Sequence, residues 1–144
     1  MNINEYKIIS LAKILDYEDG ENIFTNIVRD FSCPQNEDVE HFLKSSAINN
    51  QRMNLSRTNL VFLPQGKNQL LVGYYSLALQ VLDLSPVFSK SLRRKITGFK
   101  QENKSGAAVY LLGQLGKNFN CGANHNISGH DLFLLAMRDI IEAS

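Results

Sequence analysis

Two short stretches combine glycine with main-chain polar groups in a way that suits an extended, anionic ligand. Gly113-Gln114-Leu115-Gly116-Lys117 closes an apolar run, and Ser128-Gly129-His130-Asp131 opens another. Glycine inside a strand weakens it, so its presence marks a bulge or a place where a ligand or another backbone comes close. A helix that begins with a capping serine and a glycine turns free N–H groups and a positive dipole end towards any phosphate nearby. Together the two stretches make a strand whose backbone can line a ligand and an anion cradle beyond it. The plainer reading of the same residues is a bulged strand followed by an ordinary capped helix.

Three other groupings carry chemistry. Lys90, Arg93, Arg94, Lys95, Lys100 and Lys104 form a basic patch interrupted by a single acid, Glu102. Such a cluster neutralises phosphates of RNA, DNA or a nucleotide with a strong salt dependence, or else forms a solvated helix face. It shows no interleaved aromatic pattern that would argue for base stacking. Cys121, His125 and His130 are metal-ligand types, but a structural zinc takes four ligands and only distant Cys33 offers a fourth. A polar loop is the expected reading, with no metal. Cys33 and His41 have the makings of a thiol–base pair without a third group to orient them. Tyr74 and Tyr75 are neighbours in a strand, so one is expected in the core and the other towards solvent or a ligand.

The elements that position these residues follow closely on one another. Tyr6–Ala12 reads as a first strand, with Gly20 ending that unit. Ile23, Phe24, Ile27, Val28 and Phe31 fall on one helical stripe. Cys33-Pro34 breaks that helix, because the residue before proline is pushed out of the helical region. Asn36 then caps a second helix running to about Asn50, with Glu37 and Asp38 at the positive end of its dipole and a Glu40–Lys44 pair along its side. Thr58–Leu63 and Gln69–Leu82 form a hairpin about the turn Pro64–Asn68. Ser89–Phe99 returns to helical spacing, Ala107–Lys117 is a central strand, and Asn118–Ile127 is a loop. Ser128 and Asp131 cap a last helix that is apolar around most of its circumference and needs partners on more than one side, another copy of the chain among them.

This order gives an α+β, or mixed α/β, fold: a mostly antiparallel sheet of about four strands flanked by helices. The chain of 144 residues fits one domain, spanning 1–144. Hydrophobic residues make up 44% and charged residues 20%, with nine glycines and three prolines, which excludes disordered and collagen-like chains. Net charge is +1, so any nucleic-acid role must come from a local patch. No apolar run is longer than Ala107–Leu112, which is far too short to span a bilayer, and the first residues lack the pattern of a signal peptide. With two cysteines and no disulfide framework, a cytoplasmic protein is expected.

Residues spread along the whole chain resemble the GNAT superfamily of acyl-CoA-dependent N-acetyltransferases, in a bacterial and phage-associated branch. The resemblance rests on Phe31-Ser32-Cys33-Pro34 with Asn36-Glu37-Asp38-Val39-Glu40-His41-Phe42-Leu43, and on Leu71-Val72-Gly73-Tyr74-Tyr75-Ser76-Leu77. It continues through Leu111-Leu112-Gly113-Gln114-Leu115-Gly116-Lys117-Asn118-Phe119 and Ile127-Ser128-Gly129-His130-Asp131-Leu132. It implies acetyl-CoA as cofactor, with the pantetheine arm along Leu111, Leu112, Gly113, Gln114, Leu115 and Gly116. The pyrophosphate would sit at Ser128, Gly129, His130 and Asp131. It further implies that the N–H of Leu115 or a neighbour polarises the thioester carbonyl while an amine acceptor attacks and a base takes its proton. The family's later strands and helix have no counterpart before Ser144, so a fold lacking its C-terminal strands is expected. The alternative is a non-enzymatic GNAT derivative that binds a macromolecule, such as a phage-encoded anti-CRISPR inhibitor of a host nuclease.

Overall fold

A computed structural model describes residues 3–83 and 106–143. The basic patch Lys90, Arg93, Arg94, Lys95, Lys100 and Lys104, and the helix expected over Ser89–Phe99, lie outside the described residues. After a short 3₁₀ turn at Ile3–Glu5 come β1 (Lys7–Ser10), α1 (Leu11–Leu15), α2 (Gly20–Val28), α3 (Glu37–His41) and α4 (Ala47–Arg52). Then follow β2 (Ser56–Gln65), β3 (Asn68–Asp83), β4 (Gly106–Lys117), a 3₁₀ segment at Asn120–Asn126 and α5 (Gly129–Ala143). The sheet order is β1-β2-β3-β4, antiparallel throughout.

The first strand is shorter than expected because Ser10, its last residue and opposite Asn59 of β2, also caps α1, accepting the Lys13 N–H at 3.2 Å. Leu11 and Ile14 of that five-residue helix are buried. Gly20 opens α2 instead of ending a unit. A Cβ there would lie 2.1 Å from the Ile14 carbonyl oxygen, so only glycine lets α2 start so close to the end of α1. Asn36 caps α3 as its sequence suggests, accepting the Asp38 and Val39 N–H groups, and the helix passes through a π-turn at Phe42–Ser46 into α4. Lys44 Nζ lies 3.6 Å from Glu40 Oε2. The hairpin turn is Gly66-Lys67, with Gly66 at φ +60°; Pro64 and Gln65 belong to the strand.

Apolar side chains cover both faces of the sheet, giving three layers. On one face Leu11, Phe24, Val28, Phe31, Val39, Leu43, Leu60 and Tyr74 form a core beneath α1 to α4. On the other, Tyr6, Val61, Val72, Tyr75, Leu77, Ile127, Leu132, Leu135 and Ala136 pack beneath α5. Tyr74 and Tyr75 are therefore both fully buried, one in each core, contrary to the expectation that one faces outward. With a sheet covered on both faces, alternation no longer separates inside from outside. On α5, Leu132, Leu135 and Ala136 are buried, whereas Phe133, Leu134 and Ile141 remain exposed among the described residues.

Candidate functional site

In β4 the pairing passes from Ser76↔Gln114 to Leu77↔Leu112, leaving Gly113 as an extra, bulged residue. The bulge resets the alternation, so Tyr110, Leu112 and Leu115 share the α5 face while Leu111 lies exposed on the opposite one. Beyond it, Gly73 faces Lys117, and the Asn118 N–H continues the ladder with a 2.8 Å bond to the Val72 carbonyl. Antiparallel pairs alternate, so this bond fixes which groups point inward. Gly116 and Gln114 address β3. The N–H and C=O groups of Leu115 and Lys117 turn away from it, to the edge of β4 that no described strand covers.

Gly116 thus plays a different part from the one its type suggested. Its amide is spent on the ladder opposite Tyr74, and a Cβ on it would lie 2.2 Å from Val39 Cγ1. It is the seat on which α3 packs, held by the Tyr74 hydroxyl donating to the Val39 carbonyl. The outward amides are those of its neighbours.

At the far end of the groove Ser128 Oγ accepts the Asp131 N–H at 2.9 Å. The amides of Gly129 and His130, in the first turn of α5, have no intrahelical acceptor. Both residues are exposed, and a Cβ on Gly129 would meet nothing within 4 Å. Between this turn and β4 lies a groove of about 210 Å³, lined by Leu115, Gly116, Lys117 and Phe119 on one side, Cys33, Asn36 and Val39 on another, and Gly129 and Leu132 on the third. The Lys117 ammonium sits 5.7 Å from the centre of the Phe119 ring, so the groove carries a cation.

Asn118, expected only as a loop residue, holds this geometry. It is buried, its Nδ2 donates to the Leu71 carbonyl at 2.9 Å, and its Oδ1 accepts the N–H groups of Ser32 at 3.1 Å and Asn120 at 3.0 Å. The Phe119 N–H donates to the Ser32 carbonyl at 2.8 Å, and the Cys33 N–H to Glu40 Oε1 at 2.8 Å. The end of β4, the Ser32-Cys33 turn and α3 are thereby tied together. The loop before α5 is fastened separately, by the Tyr6 hydroxyl donating to the Asn126 carbonyl at 2.7 Å.

Burial pushes the Cys33 thiol above its ordinary pKa, outweighing a hydrogen bond at the Asn36 backbone, and the charge of Glu40 pushes the same way. His41 is exposed and no hydrogen bond joins it to Cys33. A protonated thiol without its base is no nucleophile. Cys121 and His125 are exposed on the 3₁₀ segment, His130 on α5, and among the described residues no group of three metal-ligand side chains gathers.

A four-stranded antiparallel sheet with a bulged edge strand, followed by a helix whose N-terminus faces that edge, is a GNAT-like fold. Solved structures agree. A mutant of KacT matches with a TM-score of 0.58 and 21% identity over 97% of this chain and 71% of that one. AtaT complexed with acetyl-methionyl-tRNAfMet matches at 0.54 and 20%, over 92% of this chain and 66% of that one. AtaTR bound with acetyl-CoA matches at 0.55 and 18%, over 98% and 68%. This chain spans about two-thirds of the length of those proteins, which are GNAT-fold toxin acetyltransferases. No family model and no curated protein matches the sequence. Nothing in these likenesses supports the anti-CRISPR alternative, and no helix among the described residues is long and apolar enough to cross a membrane.

Proposed function

We propose that the protein is an acetyl-CoA-dependent N-acetyltransferase that grips its acyl donor in the groove between the free edge of β4 and the start of α5. The observation that carries this reading is the pair of outward main-chain positions, Leu115 and Lys117, set beside helix amides that have no internal acceptor. The residues fit the donor. An edge strand with unpaired N–H and C=O groups accepts an amide-bearing chain as it would another strand, and the pantetheine arm is such a chain. The Gly129 and His130 amides suit a pyrophosphate. Asp131, in the same turn, opposes an anion, and Lys117 across the groove offsets it.

Acetyl-CoA, when bound, supplies an acetyl group activated as a thioester. The chain's own part is placement: Leu115 offers its N–H to the carbonyl oxygen, where charge builds as an amine attacks. Leu111, Leu112, Gly113 and Gln114 continue the strand on which that N–H is held. Ser128 orients the turn at the pyrophosphate end.

The complex of AtaT with acetyl-methionyl-tRNAfMet supports an amine carried on a tRNA as acceptor. The cations from Lys90 to Lys104 are the segment suited to its phosphates. Calorimetry with acetyl-CoA, followed by transfer of labelled acetyl to aminoacyl-tRNA, tests both parts. Binding at roughly micromolar to tens of micromolar Kd is expected, and none in that range removes the donor. No transfer to aminoacyl-tRNA removes the acceptor, and transfer that survives charge reversal at Arg93 and Arg94 with unchanged salt dependence removes the basic segment as its phosphate contact.

A further inference from the structure

Beside the C-terminal half of α5 two cavities of about 330 and 410 Å³ adjoin one another, the second reaching past the end of β1 to Gln51 and Asn54 at the end of α4. Each is of the size of small-molecule sites. Their shared walls are Ser10 at the end of β1, Asn59 of β2 and Asp139 of α5. The Tyr75 hydroxyl donates to Asp139 Oδ2 at 2.8 Å, fixing the carboxylate over the sheet. Among the described residues no cation lies within ion-pair distance of it. Asn59 is only 8% exposed, and among the described residues its carboxamide has no hydrogen-bond partner.

The Asn59 carboxamide and the half-buried Asp139 carboxylate both open onto the cavities with acceptor capacity to spare, the Asn59 carbonyl and Asp139 Oδ1. An ammonium group answers both, since it donates to Asp139 Oδ1 and to the Asn59 carbonyl together. Ser10 Oγ already accepts the Lys13 N–H, which leaves its hydroxyl proton to donate. Cations stand further out, Lys13 and Arg138 on the first cavity and Arg57, over the Tyr110 ring at 5.5 Å, on the second. Glu142 also borders the first cavity. This margin repels a bare polyamine and draws a carboxylate. We infer that the paired cavities bind a small zwitterionic amine of amino-acid type, its ammonium on Asp139 and Asn59 and its carboxylate towards Lys13, Arg138 or Arg57. Asp139 lies ten residues beyond Gly129 on α5, roughly 15 Å along the helix, so this site is distinct from the groove at β4 and stands without the acetyl-CoA reading.

The test is calorimetric titration of the chain with the proteinogenic amino acids, alongside ethylamine and acetate as ammonium-only and carboxylate-only controls. At least one amino acid is expected to bind saturably at millimolar or lower concentration, about tenfold or more tighter than either control. Asp139→Asn keeps an acceptor for Tyr75 but removes the charge, and is expected to weaken that binding by about tenfold or more. Asn59→Leu is expected to weaken that binding by about tenfold or more while the thermal midpoint stays near that of the parent. No saturable binding by any amino acid, equal binding of ethylamine, or an Asp139→Asn variant that binds as well as the parent would each overturn the inference.

Discussion

At the N-terminal end of α5 the polar groups on offer belong to the main chain: Gly129 and His130 on the helix, Leu115 and Lys117 across the groove. Ten residues further along the same helix they belong to side chains, with Ser10, Asn59, Tyr75 and Asp139 drawn from four separate elements. The first site is made by what the chain leaves out, a side chain at position 129 and a fifth partner strand among the described residues. The second is made by what it puts in. A main-chain site needs only the right element ends beside one another. A side-chain site needs four distant positions to arrive on one face.

The largest effect is expected where the groove is tied together. Asn118→Ala strands buried backbone partners at Leu71, Ser32 and Asn120 and should cost about 3 kcal/mol or more in urea denaturation; a cost near zero would mean that the groove is not held by this residue. Gly116→Ala should cost about 1–3 kcal/mol by forcing its Cβ into Val39. Adding Val39→Ala should recover much of that cost, whereas a glycine kept for ligand contact would show no such rescue.

Tyr74 and Tyr75 bring the two cores into the comparison through pH. Burial raises the pKa of both phenols well above the ordinary phenol value of about 10, and at Tyr75 the hydrogen bond and charge of Asp139 add to the rise. The folded chain therefore keeps protons that the unfolded chain loses. Their contribution is complete below about pH 10 and declines as pH rises further, by roughly 1.4 kcal/mol per unit for each ring. Thermal midpoints measured from pH 8 to 11 should fall steeply at the top of the range, and Tyr74→Phe or Tyr75→Phe should flatten that limb. Gly129→Asp gives the smallest expected change in folding and a clear one in binding. An acid in the first turn favours the helix by about 0.3–1 kcal/mol, yet it sets a negative charge where the pyrophosphate is proposed to sit. Acetyl-CoA affinity should drop by about tenfold while the midpoint holds or rises.

The same contrast explains what the sequence made legible. Main-chain features announce themselves locally: Asn36 before two acids, Ser128 three residues before Asp131, and a glycine within an apolar run each mark a cap or a bulge wherever the chain goes next. The hairpin and the bulge at Gly113 were accessible for that reason, whereas Ala107–Lys117, expected as a central strand, lies at the edge of the described sheet because position in a sheet is set by pairing and not by local pattern. Gly116 was harder, because a glycine vacated for Val39 and one vacated for a ligand are the same letter. Only the packing of α3 separates them. Helix α1 escaped because its five residues are too few to show a period, and Asn118 because a polar residue after a strand looks like any loop. The convergence of Ser10, Asn59, Tyr75 and Asp139 depends on register across three strands and a helix, which no local window contains.

Backbone amide NMR during titration with acetyl-CoA tests the central claim most directly, since it reads the proposed contacts one residue at a time. The account predicts that the amides of Leu115, Lys117, Gly129 and His130 shift together and gain protection from exchange, while that of Gly116, already paired with β3, stays where it is. Saturation that leaves Leu115 and Lys117 unmoved would contradict it.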